Sequence, residues 1–564
     1  MKTNYKIIST IVAVMLFLGC SKDFLDITPI GKQTTETFFA SYPNIKSAMA
    51  AAYEPIQQNI MDDYKQALSS EISDEAETGG QGDWPEGNDY DRINITPTMS
   101  KLDEIYGVMY EGIVRCNVII EKLPVLAKNN PEIKTSEINR YRGEARFMRA
   151  MYYFVLTRVF GGVQLVDKVL TSDQYVMPRS DIKKMYELME SDFKYASVTL
   201  PLEGEWPGGQ ADVGRATKGA AQGMLSKLLL YESSYALNYP GDARFGAVEQ
   251  RWSEALAYAD SVIISGKYYL VGIDGEKYST FWTNGDKATN GFRYIFSVPG
   301  NNCPESIFSI QHSNTQTYGG TRSNKTTAVR RYFAYDAKGV LQSYDDHGWG
   351  YDIPTHFLLS KYDSSDVRIK TTFGQKGDSI YVKSNIVKIN KVPVTAWFKI
   401  DPATRSTTKM SCFKYEVSPV EYNQDNGWTN GPQNMILLRM GELYLIAAEA
   451  AMHAGKSGAY GDALYYLNMV RKRARMCGDG VIPADLSAID QDAIMDERLR
   501  ELALEGERFF DLVRCKMANR FLNHYLETLP PTPVVFEEGK NDFFPLPLTQ
   551  VQSSKGALTQ YEGW

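Results

Sequence analysis

Apolar residues recur at spacings of three and four through most of the chain, which is the period of a helix with one buried face. The pattern is densest late. Met440, Leu443, Ala447, Ala450, Ala451 and Ala454 share one face of a helix that Gly455 is placed to end. Across a short Gly/Ser-rich turn, Ala463, Leu464, Leu467, Val470 and Ala474 form an answering face, so the two helices should pack as an antiparallel hairpin. A third helix is predicted over 492–516. It stacks Glu497, Glu501 and Glu505 at four-residue intervals among Arg498, Arg500, Arg508 and Arg514, with Leu499, Leu502, Phe509 and Leu512 as its apolar side. The whole stretch 435–516 reads as helix interrupted only by short turns.

The same period pairs 42–59 with 101–123, 137–160 with 181–200, 216–236 with 251–265, and 436–454 with 460–475. Small residues, mostly Ala, stand where helices would approach closely. These four hairpins resemble irregular tetratricopeptide repeats. The predicted fold is therefore mostly α: a helical-hairpin scaffold of about four irregular repeats carrying a loop-rich insertion. That insertion spans 266–433, where the helical period gives way to short runs separated by Gly, Asn, Asp and Thr, with a strand hairpin near 379–399. A second break, 62–100, reads as a long Gly/Asp/Asn-rich loop.

Composition narrows the function. There are 61 Lys and Arg against 68 Asp and Glu, a formal charge of −7, and no basic cluster is placed to track phosphates, which argues against nucleic-acid binding. The amino terminus, MKTNYKIISTIVAVMLFLGC, has Lys2 and Lys6 before an apolar run over 7–18 and then Gly19-Cys20. This reads as a secretory signal of the lipoprotein kind, with Cys20 as the lipidated first residue of the mature chain. The remaining cysteines, Cys116, Cys303, Cys412, Cys477 and Cys515, are odd in number and widely spaced; buried free thiols are expected, with no zinc site or disulfide framework.

No nucleotide-binding loop, zinc-protease motif or nucleophile elbow is present, and the histidines at 312, 347, 356, 453 and 524 are scattered. No catalytic residue, cofactor or metal ligand is assigned. The loop around His347, with Asp345, Asp346, Trp349, Tyr351 and Asp352, reads first as a solvated loop, with a calcium site and a sugar site as the alternatives. Of the 36 Tyr and 8 Trp, many fall in the loops rather than on helix faces. A pyranose presents apolar faces that stack on Trp or Tyr and hydroxyl rims that take hydrogen bonds from Asp, Asn, Gln and Arg. Loop clusters of that mixture are Trp84 with Asp83, Asn88 and Tyr90; Trp282 with Asn284; Tyr318 with Gln316 and Arg322; Trp349 with Tyr351; and Trp428 with Asn426.

The runs RMGELYLIAAEA, NMVRKRAR and DERLRELALEGERFFDLVR, in that order, resemble the carboxy-terminal signature of the SusD/RagB family of Bacteroidetes nutrient-binding lipoproteins. YRGEARFMRAMYYFVLTRVFGGVQLV resembles a second block of that family. The tail departs from the family's usual Gln-Asn-Pro-Gly-Tyr close, having Thr559-Gln560-Tyr561-Glu562-Gly563. The resemblance implies a signal peptide over 1–19, an anchor and leader over 20–41, helical regions over 42–265 and 434–564, and a ligand-facing insertion over 266–433. It also implies a non-catalytic outer-membrane protein facing outward, which captures oligosaccharide, or in some members peptide, for a SusC-like TonB-dependent transporter. A glycoside hydrolase and a surface adhesin are the remaining alternatives. By the same resemblance, ligand contacts are expected in the first long loop and in the insertion, which ranks Trp84, Trp282, Tyr318 and Trp349 ahead of Trp428. Arg439, Glu442, Glu449, Arg471, Glu497, Glu501 and Arg508 are expected to be ion pairs of the scaffold.

Overall fold

A computed structural model describes residues 38–39, 41–58, 60–78, 85–279, 288–312, 333–335, 341–342, 351–389, 392–402, 408–415, 432–524 and 533–564, with backbone alone in several of the strands between 333 and 400. The chain divides into residues 1–47 and 48–564. In the first unit, Asn44 Nδ2 donates to the Phe38 carbonyl over 2.7 Å.

The principal helices are α1 (Asn44–Tyr53), α2 (Ser100–Asn129), α3 (Thr135–Phe160), α4 (Ile182–Thr199), α5 (Lys218–Asn238), α6 (Trp252–Ile264), α7 (Met440–Ala454), α8 (Ala463–Cys477), α9 (Gln491–Leu502) and α10 (Arg508–Arg514). Local chemistry sets their ends. The side chains of Asp181, Thr217, Asp462 and Asp490 accept backbone N–H groups at the starts of α4, α5, α8 and α9. Gly455 takes the left-handed conformation that ends α7.

From α2 onward each helix packs on the next, and α6 packs directly on α7 although 175 residues separate their facing ends (440 − 264 − 1). The insertion therefore leaves and rejoins the scaffold between two touching helices. Close approach is built in at Gly112 of α2, where a Cβ would overlap the Tyr152 ring of α3. Polar cross-links fix the stack: Arg149 of α3 grips Asp192 of α4 at 2.7 and 2.9 Å and Asn117 of α2 at 2.7 Å. The tail returns to this end of the molecule, where the Tyr561 hydroxyl accepts from the Gly162 N–H at 2.9 Å. All five cysteines expected to be buried thiols are buried, and none of them is in a disulfide among the described residues.

The structure corrects three expectations. Residues 435–439 form a strand, antiparallel to Ser306–Ile310, because the MILLR run is flanked by a partner the local sequence does not contain. The third helix is broken between α9 and α10, where Leu504 and Gly506 have φ of +62° and +83°; a Cβ at Gly506 would crowd Lys65. The stretch 62–100 is not an open loop. Its described residues include the helical turns Ile60–Lys65 and Gln66–Glu71, the strand Ala76–Glu77 and the helix Pro85–Asp91, most of them buried. Its helical period is masked by charges that are themselves buried: Lys65 Nζ donates to the Ile436 carbonyl at 2.6 Å.

In the insertion, the strand hairpin expected near 379–399 is present as Ser379–Ile389 against Val392–Asp401, with a bulge at Pro393/Val394.

Candidate functional site

Described residues flanking two of the stretches chosen from sequence meet in a short antiparallel ladder. Ala76 pairs with Pro354 and Glu77 with Ile353, across almost three hundred residues. One step further, Thr78 and Asp352 both donate to the same carboxylate: Thr78 Oγ1 to Glu71 Oε2 at 2.8 Å and the Asp352 N–H to Glu71 Oε1 at 2.7 Å. Segment 79–84, with Asp83 and Trp84, leaves from this end of the ladder, and segment 343–350, with Trp349, arrives at it.

The root of these loops is a layer of buried acids that the sequence reading missed. Gln66 also donates to Glu71 at 3.0 Å, and the Thr78 N–H donates to Asp91 at 3.2 Å. Burial, and after it the neighbouring Asp352, pushes Glu75 up to about 8. Burial also raises Asp91, with Glu77 and Glu71 adding to it, and raises Glu71 against the hydrogen bonds that it accepts. Among the described residues no group of three or more His, Cys, Asp or Glu is arranged to hold a metal ion. In sequence Glu75 and Glu77 sit in an SDEAE run that reads as solvated. Only their alternation with Ile72 and Ala76 hints at burial.

A pH dependence follows. A carboxyl group whose folded pKa is raised contributes stability that is complete below its ordinary value near 4.5 and is lost as pH rises through the folded value, here about 8. Thermal unfolding between pH 5 and 9 should show the midpoint falling toward the alkaline end, and Glu75→Gln should flatten that fall. An unchanged alkaline slope in the variant would contradict this account.

The predicted site residues divide as follows. Asp83, Trp84, Trp282, Tyr318, Arg322 and Trp349 lie outside the described residues, as does Cys20. Asn88 is half-buried on the helix Pro85–Asp91. Tyr90 is corrected: it is fully buried, its ring lies edge-on to Phe544, and its hydroxyl donates to Glu86 at 2.9 Å, so it packs the core and offers no stacking face. Tyr351 is buried beside the ladder.

Trp282 falls in the connection of a hairpin whose strands pair Lys277 with Asn290 and Ser279 with Ala288, and Tyr278 of that hairpin stacks on Tyr294 at 4.3 Å. Tyr318 and Arg322 follow the strand Ser306–Ile310. At its exit the His312 N–H donates to Asn434 and its Nδ1 meets the Gln433 carbonyl, both at 2.9 Å. Burial lowers His312 to about 4, so the ring is neutral and Nδ1 carries the proton toward that carbonyl.

Buried ion pairs then fasten the insertion to the scaffold. Glu305, Arg368 and Lys414 from the insertion meet Arg439, Arg473, Glu497, Glu501 and Glu505 from the carboxy-terminal region. The charges expected to be scaffold ion pairs are so: Glu442 with Lys227, Glu449 with Arg514, Arg471 with Glu497, and Arg508 with Asp74.

Two family models match the chain, one described as the SusD family over residues 304–564 and one as starch-binding associating with outer membrane over residues 23–230. A SusD-like protein of Bacteroides ovatus is 25% identical over 96% of this chain and 89% of its own length. The starch-binding protein SusD of Bacteroides thetaiotaomicron is 22% identical over 85% and 82%. Among solved structures, a SusD-like protein from Bacteroides fragilis aligns with a TM-score of 0.72 at 22% identity, covering 95% of this chain and all of that one. A surface glycan-binding protein A from Bacteroides thetaiotaomicron, solved in complex with laminarihexaose, aligns with a TM-score of 0.68 at 21% identity, covering 92% and 99%. With two models meeting its two helical regions and a mostly helical, tetratricopeptide-like fold shared with these structures, the chain belongs to the SusD family.

Proposed function

We propose that this protein is a non-catalytic binding protein of the outer membrane that captures oligosaccharide at the cell surface and passes it to a SusC-like TonB-dependent transporter. The observation that supports the reading is the ladder Ala76–Glu77/Ile353–Pro354, which pairs the described residue stretches adjoining those that bear Asp83, Trp84 and Trp349. Asn88, Trp282, Tyr318 and Arg322 complete the proposed platform, with Tyr351 at its root. Aromatic faces interleaved with amide, carboxylate and guanidinium groups suit the two kinds of surface a pyranose presents. The saccharides named for relatives support the ligand class. The lipid at Cys20 would supply the tether, and the helical stack the surface for the transporter.

The test is calorimetry of the wild type and of Trp84→Ala, Trp282→Ala and Trp349→Ala against a panel of oligosaccharides and peptides. Stacking on one aromatic contributes about 0.5–1.5 kcal/mol beyond area burial, so each variant should weaken binding several-fold to about tenfold without loss of folding. Unaltered affinity in all three for a proven ligand would sink the platform, and peptide-only binding would replace saccharide as the ligand class. Co-purification of a large barrel with the tagged chain from gently solubilised membranes tests the transporter step; repeated recovery of the chain alone would count against it.

A further inference from the structure

Five arginines stand on α3, and three of them have a carboxylate of their own. Arg140 meets Glu144 at 2.9 Å, Arg149 grips Asp192 by both oxygens, and Arg158 meets Glu507 at 2.8 Å. Arg142 and Arg146, one turn apart on the same helix, do not. Among the described residues Arg142 makes no hydrogen bond or ion pair, and Arg146 has only a distant one, its Nε lying 3.9 Å from the Asp192 carboxylate that Arg149 already holds.

The two side chains straddle one ring. The Arg146 guanidinium lies over Tyr195 of α4 at 4.3 Å from the ring centre, and that of Arg142 lies at 5.5 Å. The Tyr195 hydroxyl donates to Asn139 Oδ1 at 3.2 Å, which leaves the Asn139 amide N–H groups uncommitted one turn before Arg142. α3 and α4 come this close because Gly143 has no side chain; a Cβ there would overlap the Thr199 hydroxyl. Arg142, Arg146 and Asn139 are all half-buried. The Nε atoms of both arginines are closed to solvent and lack an acceptor, whereas their Nη groups stay open. Arg179 is the contrast, with all three guanidinium nitrogens enclosed and no room for a ligand.

Positive charge is in excess in this groove. Burial lowers Arg146, and Arg149 and Arg142 lower it further against the pull of Asp192. The adjoining cation of α4, Lys194, is taken by Glu190 at 2.5 Å and adds nothing to the excess. The chain as a whole carries −7, so attraction for an anion here is local and not a property of the whole surface. Two guanidinium forks one turn apart, about 5–6 Å between Cβ atoms, can donate paired N–H bonds to one planar or tetrahedral oxyanion. Asn139 extends the row of donors along the same face.

We propose that Arg142, Arg146 and Asn139, in the groove between α3 and α4, form an oxyanion site that takes the carboxylate or sulfate group of an acidic saccharide. The saccharide rests on the binding function proposed above; the oxyanion chemistry stands on the two arginines alone. None of these residues belongs to the loop platform.

The test is calorimetry of the mature full-length chain at low ionic strength. The probes are tetragalacturonate, a heparin hexasaccharide and a κ-carrageenan hexasaccharide, with laminarihexaose as the neutral control. Inorganic sulfate and vesicles of phosphatidylglycerol and phosphatidylcholine are tested beside them. At least one acidic oligosaccharide is expected to bind, and Arg142→Gln with Arg146→Gln should weaken it about tenfold or more through loss of charged hydrogen bonds. The paired lysine variant should recover part of that loss, and the laminarihexaose isotherm should be the same in all three proteins. Arg142→Gln alone removes a group without a partner, so it should keep the wild-type unfolding midpoint and still lose several-fold in affinity. Failure of every acidic oligosaccharide to bind, or equal binding by the paired glutamine variant, would overturn the proposal. Binding of sulfate or vesicles through these arginines, with no acidic saccharide bound, would overturn the saccharide as the ligand. The two sites fail separately. Laminarihexaose binding that is lost in the combined Trp84→Ala, Trp282→Ala, Trp349→Ala variant, with no acidic probe bound, sinks the arginine site alone. Acidic binding that is lost in the arginine variants and kept in the combined tryptophan variant supports it and counts against the platform.

Discussion

Replacing Glu501 by alanine should destabilise the chain by about 3–5 kcal/mol, the cost of leaving buried charge without its partner. Glu501 is fully buried. Its Oε1 accepts from Arg439 at 2.6 Å and from Arg473, its Oε2 accepts from Arg368 at 3.1 Å, and its carbonyl accepts from Arg439 at 2.8 Å. Burial alone would raise its pKa, but Arg473, Arg439 and Arg368 reverse that and hold it far below the ordinary carboxylate range. Glu497 and Glu505 are likewise buried and likewise pulled down, each to about 2, by Arg368 and Arg439 respectively. With the Glu501 carboxylate gone, three guanidinium groups share Glu305, Glu497, Glu505 and Asp366, which already have partners. Urea denaturation measures the loss without changing ionic strength. Arg520→Ala is the control, because its pair with Asp492 is more than half exposed on the Arg520 side and should change stability by no more than about 0.5 kcal/mol. If Glu501→Ala matched that control, the network would not be what fastens the insertion to the scaffold.

The helical scaffold was legible in the sequence because its signal is local. The hairpins 137–160 with 181–200 and 436–454 with 460–475 follow from spacings of three and four, and Gly455 ends α7 where glycine was expected to. What failed to show was non-local. Met435–Arg439 reads as the beginning of a helix until Ser306–Ile310 is laid beside it, and no pattern within five residues can announce that Met435 lies opposite Ile310, 125 positions earlier. Burial of charge hid the rest. Lys65, Glu71 and Glu75 look like solvated loop residues, yet all three are enclosed. Composition also misdirects at Tyr90, whose Gly/Asp/Asn-rich neighbours suggest a loop face while its ring is core.

Replacing Cys20 by alanine should remove the chain from the membrane while leaving its binding intact. The apolar run 7–18 is well short of the roughly 20 residues that a helical span requires, and among the described residues no helix is long and apolar enough to cross a membrane. In this reading, retention rests on acyl chains carried by the Cys20 thiol, each buried methylene contributing about 0.8 kcal/mol. A single chain gives only marginal attachment, and stable anchoring takes two signals. Alanine has no thiol to acylate, so the precursor should escape lipoprotein processing, fail to incorporate labelled fatty acid and leave the membrane fraction almost completely. The folded part should be untouched, since Cys20 lies well ahead of α1. Fractionation with fatty-acid labelling reads the first effect, and calorimetry with the same oligosaccharide panel reads the second. Lipid labelling and membrane retention at wild-type levels in Cys20→Ala would overturn the anchor, whereas loss of binding in a correctly folded variant would mean that residues near the amino terminus take part in the ligand site.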